Sequence, residues 1–150
     1  MPVDHVQFCT NKYLKNSYGF RPAATHPDLV ERASGLMTAD QATAVGAVLG
    51  VQTIAEDSDE IAFIIGETGL FLADIARGVP YASIVGTNSE YQDKQDFRAI
   101  DLDLNDGSRV RLKVESGRGK LRDAFAVSSF LGHLLRRLKQ DHPAYQPFSG

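Results

Sequence analysis

The chain has 150 residues, 43% hydrophobic and 23% charged, and a formal charge of −3 from 16 Lys and Arg against 19 Asp and Glu. That composition is that of an ordinary globular domain, long enough to bury about 70% of its unfolded surface, and it excludes extended disorder. A single cysteine, Cys9, excludes an internal disulfide framework.

Residues 1–10 lack the basic start, apolar core and small-residue cleavage site of a secretory leader. The longest nearly apolar run, Ala42 to Val51, falls well short of the roughly 20 residues of a membrane helix. The expectation is one cytoplasmic domain over residues 1–150. Its charge is unevenly divided. Residues 1–96 carry 6 basic and 13 acidic side chains, net −7, and residues 97–150 carry 10 and 6, net +4. Such asymmetry suits docking to a charged partner or to a second copy of the chain; the alternative is two ordinary solvated surfaces.

In chain order, residues 1–24 show no clean period. Phe8, Tyr13, Tyr18 and Phe20, set among polar residues, predict a strand with loops or an arm docked over the core, because aromatic rings bury much apolar area. Residues 25–52 read as a helical pair. Thr25 or His26 caps the first helix, with Pro27 at its first position and Leu29, Val30, Ala33, Leu36 and Met37 at helical spacing. Thr38-Ala39-Asp40-Gln41 matches a capping box, and the second helix is expected to run to about Leu49 and stop at Gly50. On it, Ala42, Gly46 and Gly50 form a ridge of small residues for close packing.

From residue 60 the pattern changes to strands. Glu60 to Gly66 reads as a buried strand, Glu67-Thr68-Gly69 as a turn, Leu70 to Asp74 as the return, Arg77-Gly78 as a further turn and Val79 to Val85 as a third strand. Asn88 to Asp96 reads as a loop. Ile100, Leu102 and Leu104 alternate with Asp101 and Asp103, and Val110, Leu112 and Val114 alternate with Arg109, Arg111 and Lys113. A two-residue Asp-Gly turn would set polar against apolar residues. The loop Asn105-Asp106-Gly107 instead pairs Leu102 with Val110, Asp103 with Arg109 and Asp101 with Arg111, with Gly107 left-handed. Residues 121–139 form a long amphipathic helix. Its stripe is Leu121, Ala124, Phe125, Ser128, Leu131, Leu135 and Leu138, widened by Val127, Phe130 and Leu134, with Arg136, Arg137 and Lys139 at the C-terminal end. Pro143 ends it before a loose tail.

This order resembles the bacterial pleckstrin-homology-like (PH-like) domains over residues 60–139. The matching pieces are Ile64-Ile65-Gly66-Glu67-Thr68-Gly69-Leu70, Val79 to Val85, Leu102 to Val110, and the helix with Phe125 and Phe130-Leu131. In that family a bent sheet of seven strands is plugged at one end by the final helix, and the resemblance implies a binding scaffold without catalysis. Five strands follow residue 60 here, so the others would come from residues 1–24 or 86–97, and the helical pair is an addition. A plain α+β meander crossed by a helix has nearly the same pattern. The fold class expected is therefore α+β: arm (1–24), helical pair (25–52), an antiparallel bent sheet (60–115) closed by a long C-terminal helix (120–140), and tail (143–150).

Catalytic signatures are absent from the sequence. His5, His26, His133 and His142 are scattered, with no metal spacing and no Gly-x-Ser-x-Gly elbow, and a lone Cys9 near a terminus reads as structural rather than as a nucleophile paired with a distant His. No catalytic residue, metal or cofactor is predicted. Ser116-Gly117-Arg118-Gly119-Lys120-Leu121-Arg122 leads into the last helix. Backbone donors near Gly117 and Gly119, with Arg118, Lys120 and Arg122, make it a candidate anion site, although it is neither a Walker loop nor a dinucleotide fingerprint. Arg109, Arg111 and Lys113 extend this basic surface, but the acidic chain and the facing Asp101 and Asp103 weigh against nucleic acid. Glu56, Asp57, Asp59 and Glu60 form an acidic patch suited to a basic protein. The sequence thus points to a non-catalytic protein-binding module, of which an immunity (antitoxin) protein covering a toxin or enzyme is one form. Homodimerisation is a further option, and the alternative is a binder of small anions or phosphates, or a weak enzyme, using Gly117–Arg122.

Overall fold

Helices and antiparallel sheets make up the computed structural model, which describes residues 2–14, 17–55, 57–88, 99–114 and 123–141. The N-terminal arm is docked, but as a helix rather than a strand. Helix α1 (Pro2–Cys9) runs into a π-helical turn (Thr10–Leu14), where the Thr10 hydroxyl donates to the Val6 carbonyl at 2.7 Å. Val6, Cys9 and Leu14 are fully buried in the main core, with α1 lying on the C-terminal helix, α4 (Asp123–Asp141). The arm then gives a short strand, β1 (Phe20–Pro22), and a 3-10 turn (Ala23–Thr25).

Helix α2 (Pro27–Leu36) begins at His26, as the Pro27 position requires, and α3 (Ala39–Val45) is opened by the expected capping box. Gln41 N donates to Thr38 Oγ1 at 3.2 Å and Thr38 N to Gln41 Oε1 at 2.9 Å. The expected end at Leu49 is wrong. The helix stops at Gly46, whose φ of +79° is left-handed, and Val48–Thr53 is a strand, β2. Gly50 therefore ends no helix, and the ridge of Ala42, Gly46 and Gly50 does not form. Gly50 is instead the place where Phe20 lies flat on β2, since a Cβ there would sit 2.5 Å from the Phe20 ring.

The strands β1, β2, β3 (Ile61–Gly66), β4 (Gly69–Leu72) and β5 (Arg77–Pro80) form one antiparallel sheet in sequence order. A second sheet contains β6 (Ile84–Asn88), β7 (Ala99–Leu104) and β8 (Arg109–Lys113). The single bent sheet expected over 60–115 is thus two sheets, and strand structure begins well before residue 60. The break falls inside Val79–Val85, expected as one strand. Pro80 has no N–H to carry the ladder onward, and Tyr81–Ser83 turn as a 3-10 helix between β5 and β6. The Tyr81 ring is buried there, and its hydroxyl donates to the Gly66 carbonyl at 2.8 Å.

The first sheet is the middle layer. Phe63, Ile65, Leu70 and Leu72 face the main core with the second sheet and α4, while Ile64, Phe71 and Val51 pack with Leu29, Ala33 and Val45 of the helical pair. Burial on both faces is why β3 reads as a continuous apolar run. The hairpin β7–β8 has the register expected from its three-residue loop, and Gly107 has φ +88°. Ile100, Leu102, Leu104, Val110, Leu112 and Val114 are all buried in the main core. Along α4, Ala124, Val127, Phe130, Leu131, Leu134 and Leu138 are fully buried, whereas Phe125, Ser128 and Leu135 are only half-buried, so the apolar stripe is rotated from the expected centre. Leu121, residues 89–98, Pro143 and the tail lie outside the described residues.

Candidate functional site

Strand β8 presents Arg109, Arg111 and Lys113 on its outward face, and each meets a carboxylate. Arg109 Nε lies 2.6 Å from Asp103, Arg111 Nε 3.0 Å from Asp101, and Lys113 Nζ 3.7 Å from Asp74. Asp101 is buried, yet it lies on the face away from the core, held by Arg111 and 3.9 Å from Arg109. Pairing of this kind neutralises the strip that a phosphate backbone would need.

The acidic segment has the opposite character. The Thr53 hydroxyl donates to the Ala55 carbonyl at 2.7 Å, Ile54 N to the Glu60 carbonyl at 3.0 Å and Glu60 N to Ser58 Oγ at 3.0 Å. These bonds tie the two ends of the β2–β3 connection together, and Arg32 of α2 donates to the Asp59 carbonyl at 3.1 Å. Asp57, Asp59 and Glu60 are exposed. Among the described residues their carboxylates form no ion pair. Glu56 lies outside the described residues.

Glu60 also stands at the rim of a cleft of about 300 Å³ between the two sheets, floored by Ile54, Ile61, Leu72 and Leu112, with Asp74 and Lys113 on the rim. An adjoining depression of about 190 Å³ shares Glu60, Ile61 and Ala73 and adds Arg32 and Leu36. Leu36 is half exposed. The charges of this surface were legible in the sequence. The cleft was not, because its floor is assembled from four separated strands and turns.

The predicted anion loop, Gly117, Arg118, Gly119, Lys120 and Arg122, lies outside the described residues. The helix it leads into begins with a feature the sequence did not reveal. Asp123 is 2% exposed, and its carboxylate accepts from Tyr18 N at 2.8 Å, Gly19 N at 2.6 Å and Gln52 Nε2 at 2.8 Å. This negative charge ties the arm and β2 to α4, and it occupies the helix end where the anion reading needs positive potential. Cys9 is buried; desolvation raises its thiol above the ordinary cysteine range, against the opposing pull of Arg137 and Lys12, which keeps it a poor nucleophile. His133 stacks on Tyr13 with ring centroids 4.7 Å apart. Among the described residues no three His, Cys, Asp or Glu side chains are grouped to hold a metal ion, and no helix is long and apolar enough to cross a membrane. Comparison with protein families, characterised proteins and solved structures finds no match to this chain.

Proposed function

We propose that the chain is a non-catalytic, cytoplasmic protein-binding module of PH-like architecture that docks a basic partner on the acidic β2–β3 turn. An immunity protein, which neutralises a toxin by covering it, is the form of this function that an acidic single domain best suits. One observation carries the docking reading. The cations of β8 are each matched by a carboxylate, whereas Asp57, Asp59 and Glu60 form no ion pair among the described residues, and Glu60 lines an open apolar cleft. Unmatched charge at a rim steers an oppositely charged partner, and apolar surface beside it supplies contact area. The PH-like reading draws on element order, antiparallel sheets of five strands and three followed by α4, which is one strand more than the seven of that family, with α1, α2 and α3 as additions.

The test is affinity capture from the native cell with two baits, the wild type and a charge-reversed form carrying Glu56→Lys, Asp57→Lys, Asp59→Lys and Glu60→Lys. The captured protein is identified by mass spectrometry. The expected result is a basic protein on the wild type alone, bound with an affinity that falls as salt rises. Equal capture by both baits overturns the docking reading. Turnover of an acidic metabolite that is lost in Arg118→Ala with Lys120→Ala establishes the anion reading in its place.

A further inference from the structure

We infer that the cleft between the sheets is a side-chain socket for an extended protein segment in which an aliphatic residue is flanked by Lys or Arg. The inference rests on the docking reading above and names its ligand. The cleft's volume of about 300 Å³ is at the bottom of the range for small-molecule pockets, so it has room for side chains and not for a large cofactor. Its lining combines the small side chains of Ala62 and Ala73 with the larger apolar ones of Ile54, Ile61, Leu72 and Leu112. Its charged lining, among the described residues, is Glu60 and Asp74, two carboxylates, against the ammonium of Lys113.

That arrangement selects the ligand. A phosphate or carboxylate ligand meets Glu60 and Asp74 and is repelled. A purely apolar ligand leaves the Glu60 carboxylate, which has no ion-pair partner among the described residues, to be desolvated, which is unfavourable. A Lys or Arg side chain fits both parts, its methylene stem along the apolar wall and its cation at the carboxylates. Lys113 already behaves this way, lining the cleft and ending 3.7 Å from Asp74. A neighbouring aliphatic side chain then has the deeper floor, or the adjoining depression beside Leu36, to enter.

The probe is a fluorescein-labelled synthetic peptide with Arg-Leu-Lys at its centre, flanked by Gly and Ser. The controls carry Glu-Leu-Glu or Arg-Ser-Lys. Binding is read by anisotropy and by amide shifts in nitrogen-edited NMR spectra. The Arg-Leu-Lys peptide is expected to move the amides of Ala62, Ala73 and Leu112, and both controls to bind at least about tenfold more weakly. Ala73→Trp, which fills the socket, is expected to abolish binding. Glu60→Lys, at an exposed position that cannot unfold the core, is expected to weaken it about tenfold and flatten its salt dependence. The inference is overturned if the peptide does not bind, if Ala73→Trp binds it as the wild type does, or if the shifts map elsewhere. It is also overturned if sedimentation shows self-association that Glu60→Lys abolishes, which assigns the socket to a second copy. A captured partner separates the two readings. If Ala73→Trp keeps that partner while the charge-reversed bait loses it, the acidic turn docks without the socket. If both keep it, both readings fall.

Discussion

Asp123 joins three parts of the chain that are distant in sequence, Tyr18 and Gly19 in the arm, Gln52 in β2 and the start of α4. A buried carboxylate holding these donors is stabilising only as a set, because removing it strands the two backbone N–H groups and the amide in a dry interior. Bonds to a charged acceptor contribute about 1.5–3 kcal/mol each, so losing three in Asp123→Ala is expected to cost about 4.5 kcal/mol or more. Asp123→Asn keeps one acceptor oxygen and is expected to cost about half as much. Urea titration reads the loss as a lower midpoint at unchanged slope. Hydrogen exchange at the Tyr18 and Gly19 amides is expected to accelerate first. Unchanged exchange there means that the carboxylate is a bystander. Nothing near Asp123 in the sequence signals this role, since an acidic residue in a first helical turn has an ordinary explanation in the helix dipole.

At the scale of elements, the most local features were the most legible. The capping box at Thr38–Gln41 and the β7–β8 hairpin depend on turn chemistry and on contacts between near neighbours, and both have the expected geometry. Asp106 strengthens the turn by accepting from the Ser108 hydroxyl and N–H, which holds its carboxyl below the usual range. By contrast, the helix expected to run to about Leu49 and stop at Gly50 ends at Val45, and Val48–Thr53 is a strand. What makes it a strand is the left-handed Gly46 before it and pairing with β1 and β3 on either side. The hairpin also separates two kinds of stabilisation. Leu102→Ala is expected to cost about 2–5 kcal/mol from cavity formation. A double-mutant cycle on the exposed pair Asp103 and Arg109 is expected to give only about 0.2–1 kcal/mol, and less at high salt. A coupling as large as the Leu102 effect would mean that the charge ladder, rather than the apolar face, holds the hairpin.

On the scale of the whole molecule, the arm decides whether the core closes. Its clues in the sequence were weak because Val6, Cys9 and Leu14 meet α4 from the other end of the chain, and no local period reports a contact of that range. The candidate surface has the same property, with acidic residues readable as a run and a cleft that exists only once the two sheets are assembled. Burying Val6 and Leu14 contributes roughly 3–6 kcal/mol, using about 1.5–3 for each large apolar group, and Cys9 adds to it. That is comparable with the whole net stability of a domain, about 5–15 kcal/mol. Removing residues 1–14 is therefore expected to leave α4 with exposed leucines and to replace the sharp urea transition by a broad one, with binding of a hydrophobic dye such as ANS. Leu14→Ala is the milder form of the same change, expected to lower stability by about 2–5 kcal/mol while keeping a single cooperative transition. If the shortened chain unfolds at the wild-type midpoint with the wild-type slope, the arm is an accessory to a core complete without it, and the burial of Val6, Cys9 and Leu14 is energetically idle.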